Sequence, residues 1–195
     1  MTTLIFATNN PHKVSEIQAI VPATIKIITL REAGIHIDIP EPHDSLQANA
    51  AEKSNVIHKL TNQDCFGEDT GLEIDALHGA PGVFTARYAG PECRAEDNMN
   101  KVLHELIHIT ARTARFRTII SLIMKDKEYV FEGVCEGSIA TEPIGDNGFG
   151  YDPIFIPTGE YRTFAQMNAA EKNKFSHRKK ATDKLISFLQ NHGTN

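Results

Sequence analysis

The sequence predicts an α/β fold, and three patterns carry that prediction. Residues 3–8 (Thr-Leu-Ile-Phe-Ala-Thr) are a short apolar run of β type, Asn9-Asn10-Pro11 breaks it, and Val14, Ile17, Ile20 and Val21 then recur at helical spacing. Residues 25–30 (Ile-Lys-Ile-Ile-Thr-Leu) read as a second strand, so the chain opens β-α-β. Residues 114–124 alternate as Ala114, Phe116, Thr118, Ile120, Leu122 and Met124 on one side, and residues 128–140 form a partner strand. Lys125-Asp126-Lys127 turns between them, giving a long hairpin.

The other elements follow in order. Residues 35–44, rich in Pro, Asp and His, form a loop. Asp44 or Ser45 caps a helix through about Leu60, with Leu46, Ala50, Lys53, Ile57 and Leu60 along one side. Cys65-Phe66-Gly67 leads into Glu68-Asp69-Thr70-Gly71, and an acidic pair at the end of a strand is expected there. Glycine and proline cluster in Gly79-Ala80-Pro81-Gly82, and a helix near 95–107 carries Met99, Val102, Leu103 and Leu106 as its apolar stripe. A short strand follows Gly148–Pro153, and a helix runs from about Ser176 to Gln190. No repeat, low-complexity tract or Ser/Gly linker interrupts residues 1–195, so one domain is expected.

Composition excludes several classes. A hydrophobic fraction of 41% supports a real core and argues against disorder. With 20 Lys and Arg against 25 Asp and Glu, the net charge of −5 opposes broad binding to a nucleic-acid backbone. The N-terminus has no basic flank followed by a long apolar run, and no stretch approaches the roughly 20 apolar residues of a membrane span, so a cytoplasmic protein is expected. Cys65, Cys93 and Cys135 are widely spaced, without a CxxC or Cys/His pattern, and read as small core residues.

Four segments can carry chemistry. Thr8-Asn9-Asn10-Pro11-His12-Lys13 follows a strand and opens a helix, where backbone N–H groups, a hydroxyl and an ammonium suit an anion. It lacks the GxxxxGK[ST] pattern, and on spacing alone it reads first as an ordinary polar turn. Glu68 and Asp69 are adjacent carboxylates that need cations to answer them. Oxygen-only ligation suits Mg²⁺ or Mn²⁺ with substrate phosphates, and a solvated acidic turn is the alternative. Glu41 is a further carboxylate that spacing cannot place. In Asn147–Pro153, glycines flank Phe149, whose ring can stack on a base, while Asp152 can accept from a base N–H; a ring pinning its loop to the core is the alternative. Residues 171–180 hold five Lys or Arg, and Lys172, Ser176, His177 and Arg178 offer donors to a phosphate or a base carbonyl, although a solvated helix face would look the same. Taken together, these segments meet the needs of a nucleoside-triphosphate site.

The motifs also match a known family. Thr8-Asn9-Asn10-Pro11-His12-Lys13, then Glu41 with Asn49, Ala50 and Lys53, then Glu68-Asp69-Thr70-Gly71-Leu72 with Gly79-Ala80-Pro81-Gly82 and Thr85–Gly90, then Gly148–Phe155, and finally Glu171, Lys172, Ser176, His177 and Arg178 occur in family order. On these residues the chain resembles the inosine triphosphate pyrophosphatase, or Ham1-like, family. It departs at Glu68, where the family has Asp, at Ala48, where Glu commonly precedes Asn49, and at His78, which replaces a glycine.

The resemblance implies a long twisted mixed sheet with flanking helices, forming two lobes around a central cleft. It implies a homodimer that hydrolyses deaminated purine nucleoside triphosphates (ITP, dITP, XTP) to the monophosphate and pyrophosphate with Mg²⁺. Asp69 and Glu41 would hold the metal, and Asp69 or Glu68 would activate water. Thr8, Asn9, Asn10, Pro11, His12, Lys13, Lys53 and Thr70 would meet the phosphates. Phe149, Gly150, Tyr151, Asp152, Lys172, His177 and Arg178 would meet the base. A Maf-type pyrophosphatase of modified pyrimidine nucleotides and a catalytically weakened nucleotide-binding module are the alternatives.

Overall fold

Strand β1 (Thr2–Phe6) shows how the sheet is dressed. Its odd and even residues go to different cores: Leu4 and Phe6 pack with Ile17, Phe66, Leu185 and Leu189, whereas Ile5 packs with Leu30, Ile57 and Cys65. A strand buried on both faces reads as a continuous apolar run, as residues 3–7 nearly do. The computed structural model describes residues 2–192. Its elements are β1, α1 (Pro11–Gln18), β2 (Ile25–Thr29), α2 (Leu46–Thr61), β3 (Cys65–Ile74), β4 (Pro81–Gly82), α3 (Ala95–Glu105), β5 (Thr113–Met124), β6 (Lys127–Ile139), β7 (Phe155–Pro157), α4 (Ala169–Lys172) and α5 (His177–His192).

The strands form one seven-stranded mixed sheet in the order β2-β1-β3-β5-β6-β7, with β4 on β3. β1 is parallel to β2 and β3, while β4 is antiparallel to β3 and β7 to β6. The long hairpin is present: Lys125 and Asp126 take φ of 51° and 61°, the pair of positive values that a two-residue turn of the primed type requires.

The chain folds as two compact units. Among the described residues, the first takes 2–69, Thr118–Gly133 and 178–192; the second takes Thr70–Arg117 and Val134–His177. Each is assembled from separate segments, which is why no linker composition marks a boundary in the sequence. In the first unit, Asn10 caps α1, its side chain accepting from the amides of His12 and Lys13, with Pro11 in the first turn. Ser45 caps α2. Phe6 and Phe66, paired across β1 and β3, stack at 4.4 Å. In the second unit, Phe116, Phe155 and Phe164 form a ring cluster with Leu72, Val102, Leu106 and Ile154 around it.

Two expectations are corrected. Glu68 and Asp69 lie inside β3, not at its end, because cationic side chains answer both charges within the fold. Cys65 and Cys135 are buried as expected, with burial pushing the Cys65 thiol up to about 12, but Cys93 is exposed, in the irregular segment before α3.

Gly67 sets the spacing that the site needs. A Cβ there would lie 2.3 Å from the Ala50 carbonyl oxygen and 2.7 Å from the Lys53 Cβ, so α2 rests directly on the β3 backbone. Gly67→Ala must push α2 outward, carrying Lys53 with it. The expected cost is about 1–3 kcal/mol of stability, read by urea unfolding, together with a rise in KM for a triphosphate.

Candidate active site

In the first unit, elements from four parts of the chain converge on the acidic pair of β3. Glu68 is fully buried and takes cations on both oxygens: Lys13 Nζ lies 3.1 Å from Oε2, and Arg178 Nη2 and Nε lie 3.0 and 3.1 Å from Oε1. Thr118 of β5 also donates to Oε1, at 3.5 Å. Arg178, in the first turn of α5, reaches in the other direction to Glu16 on α1. Burial alone would lower the Arg178 pKa, but Glu68 and Glu16 outweigh it and hold the guanidinium above its usual range.

Asp69 faces α2. Lys53 Nζ bridges three acceptors: Asp69 Oδ1 at 2.9 Å, the Glu68 carbonyl oxygen at 3.1 Å and Glu41 Oε1 at 2.5 Å. Burial tends to lower the Lys53 pKa, but the carboxylates of Asp69 and Glu41 raise it on balance. Asp69, only 5% exposed, is shifted upward, chiefly by burial, with Lys53 and Lys13 opposing. Its second oxygen, Oδ2, is buried with no hydrogen-bond partner among the described residues.

That orphaned oxygen tests the expected metal. Among the described residues no three His, Cys, Asp or Glu side chains gather as a cage. A hard divalent cation such as Mg²⁺ binds through one or two carboxylates plus substrate phosphates. Asp69, with its unused Oδ2, and Glu41, held beside the same lysine, fit that requirement.

The turn before α1 is partly self-satisfied. Asn10 Oδ1 accepts from the amides of His12 and Lys13 at 3.0 and 3.3 Å, the Asn10 amide donates to Thr8 Oγ1 at 3.2 Å, and Asn9 Nδ2 donates to the Ile37 carbonyl at 3.0 Å. The cap thus occupies two amides that the sequence offered to an anion. Pro11 and His12 are exposed, and Thr70 is half-buried one residue beyond Asp69 in β3.

In the second unit, Gly148 and Gly150, at φ of 78° and 63°, fold the loop back over Asp152. Asp152 Oδ2 accepts from the Phe149 amide at 2.9 Å and from Lys172 Nζ at 2.7 Å. A Cβ at Gly148 would sit 2.0 Å from that oxygen, so the turn tolerates no side chain there. Lys172 Nζ lies 5.2 Å from the centre of the partly exposed Phe149 ring and 5.4 Å from that of Phe164. Tyr151 is buried, its hydroxyl donating to the Thr85 carbonyl at 2.8 Å, and burial raises its pKa. His177 is buried against Phe116, ring centres 4.7 Å apart.

Sequence reasoning missed Glu16, Thr118 and Phe164. Glu16 had a signal: it stands three residues after Lys13, on the same face of α1. Thr118 had none beyond its place in an alternating strand, and Phe164, between Thr163 and Ala165, had none.

The first group suits a polyphosphate and a divalent cation, and the second suits a flat, polar-edged base; this is the chemistry of a nucleotide-handling protein. The chain belongs to the Ham1 family, whose model matches residues 4–188. It is 48% identical to the dITP/XTP pyrophosphatase of Flavobacterium psychrophilum, over 96% of this chain and 99% of that protein. It is 42% identical to the dITP/XTP pyrophosphatase of Bacillus subtilis, over 97% and 98%. Among solved structures, the Staphylococcus aureus Ham1 protein superposes with a TM-score of 0.89 at 36% identity, covering 97% of this chain and 99% of that one. A Coxiella burnetii HAM1 protein gives 0.90 at 36%, covering 98% and 100%.

Proposed function

We propose that the protein is a Mg²⁺-dependent pyrophosphohydrolase that converts deaminated purine nucleoside triphosphates (ITP, dITP, XTP) to the monophosphate and pyrophosphate. The observation that carries this reading is Asp69: a buried carboxylate with a raised pKa, one oxygen on Lys53 and the other without a partner. End-to-end relatives named dITP/XTP pyrophosphatase support it, and membership of the Ham1 family favours it over the Maf-type alternative.

Asp69 accepts the proton of the water that attacks the α-phosphorus; a pKa raised by burial brings a carboxylate nearer to the pH at which such a base works best. Both Glu68 oxygens are engaged by Lys13 and Arg178, so Glu68 positions those cations instead. Lys13 and Lys53, with the side chains of Thr8, Asn10 and Thr70, meet the phosphates and the leaving pyrophosphate, the two lysines supplying the positive charge. Asp69 and Glu41 would hold Mg²⁺, which when bound supplies charge neutralisation at the phosphate oxygens.

Phe149 stacks on the base, and Lys172 donates to the 6-keto oxygen with Asp152 orienting it. Gly150 and Tyr151 contribute backbone to that loop. His177, stacked on Phe116, would meet the base through its ring edge, and Arg178, tied to Glu68, acts by fixing that carboxylate. No helix among the described residues is long and apolar enough to cross a membrane. We place the protein in the cytoplasm, as a homodimer acting on free nucleotides and not on nucleic acid.

Product analysis tests the reaction: ITP gives IMP and pyrophosphate, whereas IDP and phosphate would contradict attack at the α-phosphorus. Base reading has its own test. Adenine carries an amino group where inosine has a keto oxygen, so the Lys172 donor meets no acceptor there, a mismatch of about 1–3 kcal/mol. Lys172→Ala is therefore expected to reduce the kcat/KM preference for ITP over ATP by roughly 10- to 100-fold, with unchanged preference removing Lys172 from that role.

A further inference from the structure

Glu41 stands in a loop without regular secondary structure, yet its carboxylate meets Lys53 at 2.5 Å. Something else must hold that loop. The side chain that does so is Asn49, which is fully buried in the first turn of α2. Its Oδ1 accepts from the His43 amide at 3.0 Å, and its Nδ2 donates to the His43 carbonyl at 3.2 Å. Both backbone polar groups of one loop residue are thus paired with a single amide, as a neighbouring strand would pair them.

The spacing makes this pairing specific to Glu41. Asn49 and Lys53 are four residues apart and share one face of α2. His43 and Glu41 are two residues apart in the loop. The helix therefore grips the loop at the His43 backbone through Asn49 and, one turn on, at the Glu41 carboxylate through Lys53, with Glu52 a weaker third contact 3.5 Å from the His43 ring. A Lys–Glu ion pair at a partly exposed carboxylate fixes little by itself. The buried double hydrogen bond supplies the missing constraint.

We infer that Asn49 is a positioning residue whose hydrogen-bonded pair with the His43 backbone sets the Glu41 carboxylate for divalent-metal binding. The inference rests on the proposed role of Glu41. Residues that orient a ligating carboxylate typically change metal affinity by about 10–100-fold when removed.

The test is a double-mutant cycle read by Mn²⁺ binding to the full chain without nucleotide, using isothermal titration, with thermal unfolding recorded alongside. Glu41→Gln and Asn49→Ala are each expected to weaken Mn²⁺ binding roughly tenfold, and the double variant no more than either alone. Asn49→Asp, which keeps the acceptor and the size but loses the donor, covers the case in which Asn49→Ala fails to fold and is expected to weaken binding likewise. If Glu41→Gln weakens binding while folded Asn49 variants bind as wild type, or if the two losses add, Asn49 does not position Glu41 and the metal reading stands. If neither Glu41→Gln nor the Asn49 variants change Mn²⁺ binding, the role of Glu41 fails and this inference falls with it.

Discussion

Asp69→Asn is expected to lower the turnover of ITP by about 10²–10⁴-fold while leaving nucleotide binding largely intact. The substitution keeps the shape of the side chain and an oxygen that can still accept from Lys53, whose ammonium lies 2.9 Å from Oδ1. What it removes is the negative charge of the carboxylate, and with it both the proton-accepting capacity that burial has raised above that of an ordinary Asp and one of the two proposed Mg²⁺ ligands. Glu68 cannot take over, because its oxygens are committed to Lys13 and Arg178 in the interior. Measuring kcat for ITP and, separately, binding of a non-hydrolysable analogue distinguishes the lost base from a lost site. Near-normal kcat in a folded Asp69→Asn protein would assign the proton to another group.

Arg178→Met is expected to destabilise the first unit by about 3–5 kcal/mol, the scale for removing one partner of a buried ion pair. Arg178 is 2% exposed and lies between Glu68 and Glu16. Without it, Glu68 keeps Lys13 and Thr118 but loses both guanidinium donors on Oε1, at a carboxylate that is fully buried. Urea unfolding reads the loss. Glu68→Gln in the Arg178→Met background should restore part of it, because the neutral amide does not need the cation. Equal stability of wild type and Arg178→Met would show that the pair is dispensable to the fold.

Much of the fold was legible because it follows from periodicity. The β-α-β opening, the capped α2 and the long hairpin are local patterns, and they appear where the sequence puts them. Position within an element was less legible. The acidic pair was expected at a strand end because two charges within an apolar strand look unfavourable; what permits them is Lys13 and Arg178, 55 and 110 residues from Glu68, and Lys53, 16 residues from Asp69. The same limit hid the tie between Arg178 and Glu68. The basic run at 171–180 reads as one cluster in the sequence, but the fold divides it: Lys172 goes to Asp152 and Arg178 to Glu68 and Glu16. Gly67 was visible as a residue, but its purpose, letting Lys53 rest against β3, depends on a packing distance that no spacing encodes.

Pyrophosphate release from ITP, XTP, dUTP, GTP and ATP, with and without Mg²⁺, reads both the reaction and the base preference of the site. Metal-dependent release is expected, with ITP and XTP far ahead of GTP, ATP and dUTP. Release led by dUTP, or tight ITP binding without any release, would contradict the proposed function.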